Sequence, residues 1–99
     1  MGERASWPRT GEVLADGRVA LHVGHIWTDM HRGEDIGEVI WQSRGRRHSR
    51  ALTRQQCLNA LRLAEDDVPN ASLSTSEREA AGRIIRKVHQ CLRALGGRR

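Results

Sequence analysis

The sequence predicts an α+β domain, in which a small antiparallel sheet of three to four strands precedes two helices packed on one face. Apolar residues alternate in the first half of the chain, a Thr-led capping motif follows near the middle, and an amphipathic stripe fills the last quarter. Strands followed by helices, rather than alternating with them, are typical of the α+β class.

The 99 residues are 37% hydrophobic and 29% charged, which fits one globular domain with its own core. We predict a flexible N-terminal lead at residues 1–10, a single domain at 11–96 and a basic tail at 97–99. No stretch has the length of a membrane span or the pattern of a signal peptide. We therefore expect a cytoplasmic protein that makes no membrane contact. Cys57 and Cys91 are expected to be buried free thiols.

Residues 12–27 predict a β-hairpin, because Asp16-Gly17 suits a tight turn between two extended runs. In the second run the apolar residues alternate with the others at the two-residue period of a strand. A polar, acidic loop is predicted at 28–37 and a third strand at 38–43. The break at Arg44-Gly45 favours a turn into a fourth strand at 46–52. In that strand Arg47, Ser49 and Ala51 are expected to face opposite to His48, Arg50 and Leu52.

Two capping boxes predict where the helices begin. Thr53 is followed three residues later by Gln56, and Ser74 is followed three residues later by Glu77. The first helix is expected to end near Asp66 or Asp67. The second, over 77–95, has an apolar stripe at three- and four-residue spacing. Its members are Ala81, Ile84, Ile85, Val88, Cys91, Leu92 and Leu95.

Positive charge is concentrated in two blocks. The formal net charge is +5, and sixteen of the seventeen basic residues are Arg. Such a bias also occurs in proteins from GC-rich genomes, so the distribution is more informative than the total. Residues 39–64 hold six Arg and no acidic residue, and residues 80–99 hold five Arg, Lys87 and no acidic residue. Segregated positive charge favours a polyanionic or acidic partner.

The two blocks supply the candidate nucleic-acid-binding residues. An Arg guanidinium can bind phosphate oxygens bidentately, a β-ribbon can enter the major groove, and an exposed Trp can stack on a base. The candidates are Trp41, Arg44, Arg46, Arg47, His48, Arg50, Arg54, Arg83 and Lys87. The alternatives are a solvated hairpin that protects a sheet edge, a Trp41 that belongs to the core, and an ordinary polar helix face.

Residues 11–63 resemble the small sheet-plus-helix DNA-binding domains found at the start of phage integrases. The shared features are a Gly-Glu strand start, the Asp-Gly turn, the Arg-rich turn and the Thr-capped helix. The resemblance implies a DNA-binding domain. The long acidic loop at 28–37 and the second helix at 77–95 depart from that pattern.

Two polar groups were weighed as metal or catalytic sites. His22, His25, His31 and Asp29 are close in sequence, but His22 and His25 would point to opposite faces of one strand. Asp29, Glu34, Asp35 and Glu38 lack the spacing of a calcium loop. We predict no metal, no cofactor and no catalytic residue.

Three functions remain, in order of preference. The first is a DNA-binding domain, with RNA as the less favoured nucleic acid. The second is a protein-interaction or accessory module without enzymatic activity, which meets an acidic protein surface or a second copy of itself. The third is a small hydrolase or metal-dependent enzyme built on residues 22–38.

Overall fold

A three-stranded antiparallel sheet followed by helices confirms the predicted α+β class. The computed structural model describes residues 7–44 and 47–96. Its elements are β1 (Val19–Gly24), α1 (His25–Met30), β2 (Glu38–Gln42), β3 (Arg47–Leu52), α2 (Arg54–Asp67) and α3 (Thr75–Gly96). Gly45, Arg46 and the predicted tail at 97–99 lie outside the described residues.

The sheet has the strand order β1-β3-β2, so the last strand lies between the other two. Leu21 pairs with Arg50, His22 with Ser49 and Val23 with His48. Because directly paired residues share a face, Val23 and His48 point one way, while His22 and Ser49 point the other. The predicted opposition of odd and even residues along 46–52 is therefore confirmed over the described part of β3.

The main core lies between one face of the sheet and the helices. Its larger members are Val19, Leu21, Val23, Trp27, Ile36, Leu52, Ile84 and Val88. Small buried residues, among them Cys57, Ala60 and Ala64 of α2, allow the two long helices to approach closely. The stripe predicted for the last helix supplies its buried side, so the helix is oriented by its sequence.

The predicted hairpin over 12–27 is wrong in two respects. Residues 12–15 form no strand, since Val13 makes only an isolated bridge to Val19 around a turn in which Gly17 has φ 91°. Residues 25–30 form the short helix α1, so residues 25–27 do not continue the strand and residues 28–30 are not part of the predicted loop at 28–37. The alternation ends at Gly24, and the helical turn takes Trp27 into the core, where only 1% of it is exposed.

Both predicted capping boxes are present. Thr53 Oγ1 accepts from the backbone N–H of Gln56, and Gln56 Oε1 accepts from the backbone N–H of Thr53. Ser74 and Glu77 make the same exchange at the start of α3. Each box satisfies backbone N–H groups that a helix start leaves without partners, which explains why both helices begin there.

The outer edge of β1 is covered by the chain before it and by α3. Gly11 N–H donates to Ala20 O at 2.9 Å, and Thr10 Oγ1 accepts from His22 N–H at 2.9 Å. From α3, Cys91 Sγ approaches Ala20 O at 3.3 Å. Residues 10–13 and α3 therefore satisfy an edge that could otherwise pair with another chain.

Candidate anion-binding cleft

A cleft of about 370 Å³ opens where the end of β1, the start of α1, the start of β3 and one side of α3 meet. Its lining combines basic side chains with an apolar wall. The lining residues are His22, Gly24, His25, Ile26, Trp27, Arg47, Ala80, Arg83, Ile84 and Lys87. None of these described lining residues is acidic.

Three cationic side chains reach the cleft from two elements. Arg47 comes from the first position of β3, and Arg83 and Lys87 lie four residues apart on α3. Residues at that spacing lie on the same side of a helix. Burial lowers the pKa of Lys87, and the charges of Arg83 and Arg47 lower it further. The three cations are thus close enough to repel one another.

Lys87 is held in a defined position. Its Nζ donates to His22 O on the edge of β1 at 2.8 Å. An ammonium group has three donors, so this bond leaves two N–H groups for other acceptors. Arg83 and Arg47 are exposed, and each offers a planar fork of donors suited to phosphate oxygens.

His22 connects the cleft to the other face of the sheet. Ser49 Oγ donates to Pro8 O at 2.8 Å, so its contact of 3.0 Å with His22 Nδ1 requires Nδ1 to carry the proton. His22 Nε2 is buried and has no hydrogen-bond partner among the described residues. Burial lowers the pKa of His22, with further lowering by Lys87, Arg47 and His48. These conditions favour the neutral ring.

An aromatic cluster covers that second face. The ring centroid of Trp7 lies 4.3 Å from that of His22 and 5.6 Å from that of Trp41, and the two indoles are stacked. Trp41 is half-buried and does not belong to the main core between sheet and helices. Its contact with Trp7 restricts the ring surface on which a base could stack.

The structure brings together only some of the predicted site residues. Arg47, Arg83 and Lys87 meet at the cleft, although the sequence places them in separate blocks. Arg44 is exposed just after β2. Arg46 lies outside the described residues, so its predicted role has no structural counterpart here.

The remaining predicted residues point elsewhere. His48 lies on the sheet face opposite Arg47. Arg50 is half-buried, and its Nε donates to Ile36 O at 3.3 Å and to Gly37 O at 3.1 Å, which ties the loop before β2 to β3. Arg54, in the first turn of α2, has its guanidinium against Gly96 at the end of α3.

The polar residues that the sequence offers as candidate metal or catalytic sites do not meet at one site, because most of them pair with other residues. His31 Nε2 lies 2.7 Å from Asp67 Oδ2, which also accepts from Trp27 Nε1 at 3.1 Å. Asp29 pairs with Arg32, Asp35 accepts from Gln56, and Glu38 pairs with Arg18. Within residues 7–44 and 47–96, no group of three His, Cys, Asp or Glu side chains is arranged to hold a metal ion.

Sequence reasoning missed the participation of His22 and His25 in a basic site. In the sequence both are candidates only for metal ligation, because the residues that join them in the cleft are distant along the chain. The one available signal was the pair Arg83 and Lys87, whose helical spacing predicts a shared face.

No protein-family model, curated protein or solved structure matches this chain. Among the helices that the structure describes, none is both long enough and apolar enough to cross a membrane.

Proposed function

We propose that this chain binds nucleic acid, DNA in the first instance, through the basic cleft. The observation that carries the proposal is the convergence of Arg47, Arg83 and Lys87 on a cleft whose described lining is free of carboxylates. Cations that converge without internal counter-charges attract an external anion, and guanidinium groups match phosphate geometry.

The positions of Arg44 and Arg47, at the neighbouring ends of β2 and β3, support the same proposal. Arg44 follows β2 and Arg47 begins β3, and both are exposed. A strand of nucleic acid that enters the cleft at Arg47 would therefore also pass Arg44. Arg50 is assigned no part in binding, because its guanidinium holds the Ile36 and Gly37 carbonyls.

A salt titration with charge-matched variants tests the proposal. Labelled DNA and RNA, single- and double-stranded, are titrated at two salt concentrations with the wild type, Arg47→Gln/Arg83→Gln and Arg62→Gln/Arg86→Gln. The two double variants lose the same charge, but Arg62 and Arg86 are exposed residues outside the cleft lining.

We expect wild-type affinity to fall steeply with salt. The plot of log affinity against log salt should be less steep by about 2 in the cleft variant, one for each cation removed from the cleft. The control variant should keep most of its affinity. Absence of wild-type binding at low salt, or equal losses in both variants, would contradict the proposal.

A second candidate function is self-association through β2. Among the described residues, β2 pairs only with β3, and Val39 and Ile40 are 41% and 36% exposed on this strand. An open strand edge with exposed apolar residues can pair with a second copy. The register irregularity between Val39 and Trp41 weakens such pairing. Light scattering of the wild type and Val39→Lys distinguishes a dimer that the substitution dissociates from a monomer.

A further inference from the structure

We propose that the cleft binds the terminal phosphate monoester of a nucleic acid strand, rather than the phosphodiester groups along its backbone. This inference rests on the proposed function and narrows it to one chemical group. The cleft, its three cations and the apolar wall behind them carry the argument.

The arrangement of charge favours a terminal phosphate. A phosphodiester carries one negative charge, and successive diesters form a row, so a protein that follows the backbone needs cations spaced along a groove. A phosphate monoester carries about −1.5 to −2 at neutral pH on three oxygens. Arg47, Arg83 and Lys87 line a single cleft instead of a row, which suits a dianion that takes donors from all three.

The dimensions of the cleft favour a strand end. A volume of about 370 Å³ lies at the lower end of the range of small-molecule pockets. A duplex cannot enter such a space, whereas a single projecting nucleotide can. Ala80 and Ile84 form one side and Trp27 and Ile26 contribute an apolar floor, so the sugar that bears the phosphate would meet apolar surface.

The described lining of the cleft contains no carboxylate that would balance these cations. Lys87 is half-buried, and its pKa is lowered by burial and by the two arginines. A bound dianion would oppose this lowering of the Lys87 pKa, because it attracts the ammonium charge. Because Lys87 Nζ is already fixed by His22 O, little of its conformational freedom remains to be lost on binding.

The test compares single-stranded DNA oligonucleotides of one sequence with a 5′-phosphate, a 3′-phosphate or only hydroxyl ends. Affinity is measured by fluorescence anisotropy with an internal label, for the wild type, Arg83→Gln and Arg86→Gln. Arg83 is exposed, so its replacement should leave the fold intact, and thermal melting checks this. Inorganic phosphate and a nucleoside monophosphate serve as unlabelled competitors.

We expect one phosphorylated end to bind the wild type about tenfold more tightly than the hydroxyl form, which corresponds to about 1.4 kcal/mol. Arg83→Gln should abolish this preference and Arg86→Gln should retain it. The nucleoside monophosphate should compete more weakly than the phosphorylated strand.

Three other outcomes overturn the inference, and each does so differently. Equal affinity for phosphorylated and hydroxyl ends, with Arg83→Gln weakening both, leaves nucleic-acid binding standing and removes the terminal-phosphate site. Binding of only the competitors, lost in Arg83→Gln, shows a site for free phosphate monoesters and removes the nucleic acid. Binding of none of these probes removes both proposals.

Discussion

His22 contacts both the cleft and the aromatic cluster on the other face of the sheet. Its backbone carbonyl holds Lys87 in the cleft, and its ring lies between Ser49 and the indole of Trp7 on the other face. The ring is surrounded by groups that oppose its protonation. Burial is the largest cause of its lowered pKa, and Lys87, Arg47 and His48 add repulsion.

Folding stability should therefore decrease in acid. When the pKa of a His is lower in the folded state than in the unfolded state, the unfolded chain takes up the proton first. The contribution of His22 to stability is complete above its ordinary pKa of 6.5 and is lost as the pH falls through the lower folded value. We expect His22→Asn to reduce the loss in urea midpoint between pH 7.5 and pH 5.5.

His89 provides the matched control, since it is exposed on α3. His89→Asn should leave the pH dependence of the midpoint nearly unchanged. If the urea midpoint of His22→Asn has the same pH dependence as that of the wild type, protonation of His22 is not a cause of the loss of stability in acid.

Two glycines with the same backbone conformation should differ in their tolerance of a side chain. Gly17 has φ +91° and open space around it, whereas Gly37 has φ +92° and lies against β3. A Cβ on Gly37 would be 2.5 Å from Ala51 O and 2.8 Å from Leu52 Cδ1. We expect Gly17→Ala to cost about 1–3 kcal/mol in strain, and Gly37→Ala to cost at least about 1 kcal/mol more.

Urea unfolding of the two variants checks this difference, because the shared φ cancels in the comparison. Equal losses would mean that β3 moves aside at Gly37 without cost. A larger loss in the free energy of unfolding for Gly17→Ala than for Gly37→Ala would contradict the close packing of Gly37 against β3.

Arg50 illustrates what a sequence can and cannot predict about a single residue. The pattern along 46–52 correctly placed it on the face opposite Arg47. Charge alone then assigned it to the binding surface, although its guanidinium is half-buried against two carbonyls. The local pattern determines the direction of a side chain, whereas its partners depend on which loop the fold brings next to it.

At the level of elements, Asp67 joins α1 to the end of α2. Its side chain is 10% exposed and accepts from Trp27 Nε1 and His31 Nε2. Asp67→Ala should leave the buried Trp27 N–H and the partly buried His31 N–H without an acceptor, at a cost of about 2–3 kcal/mol in the free energy of unfolding. Asp67→Asn should cost less, since its amide oxygen can still accept.

Asp66 is the control, because it is exposed and adjacent in sequence. Asp66→Ala should change the free energy of unfolding by no more than about 0.5 kcal/mol. Similar losses in Asp66→Ala and Asp67→Ala, measured by urea unfolding, would indicate a general effect of charge at the end of α2.

The contact between Asp67 and Trp27 also explains why the sequence did not predict α1, although it predicted α2 and α3. The capping boxes at Thr53 and Ser74 are local, and each helix behind them is long enough to show its period. The six residues of α1 have no side-chain cap, and Gly24 stands at the capping position. The hydrogen bond that anchors Trp27 comes from Asp67, 40 residues further along the chain, so no local pattern reveals it.

At the level of the whole molecule, the sequence predicted the charge but not its arrangement. Residues 39–64 and 80–99 are the two basic blocks of the sequence. The cleft takes one cation from the first block, two from the second, and His22 and His25 from a segment with net negative charge. Which members of each block meet is decided by the strand order β1-β3-β2, which places Arg47 opposite Gly24. No local pattern specifies that order.

The stacking of Trp7 on Trp41 has an optical consequence. Two indoles with centroids 5.6 Å apart and planes inclined by 27° couple their electronic transitions. The far-ultraviolet circular dichroism of this protein should therefore contain an exciton couplet superimposed on the helical bands. The couplet would vanish if the segment that begins at Trp7 lifted from the sheet while the helices stayed intact. The chain thus carries an intrinsic spectroscopic reporter of whether its N-terminal segment is docked.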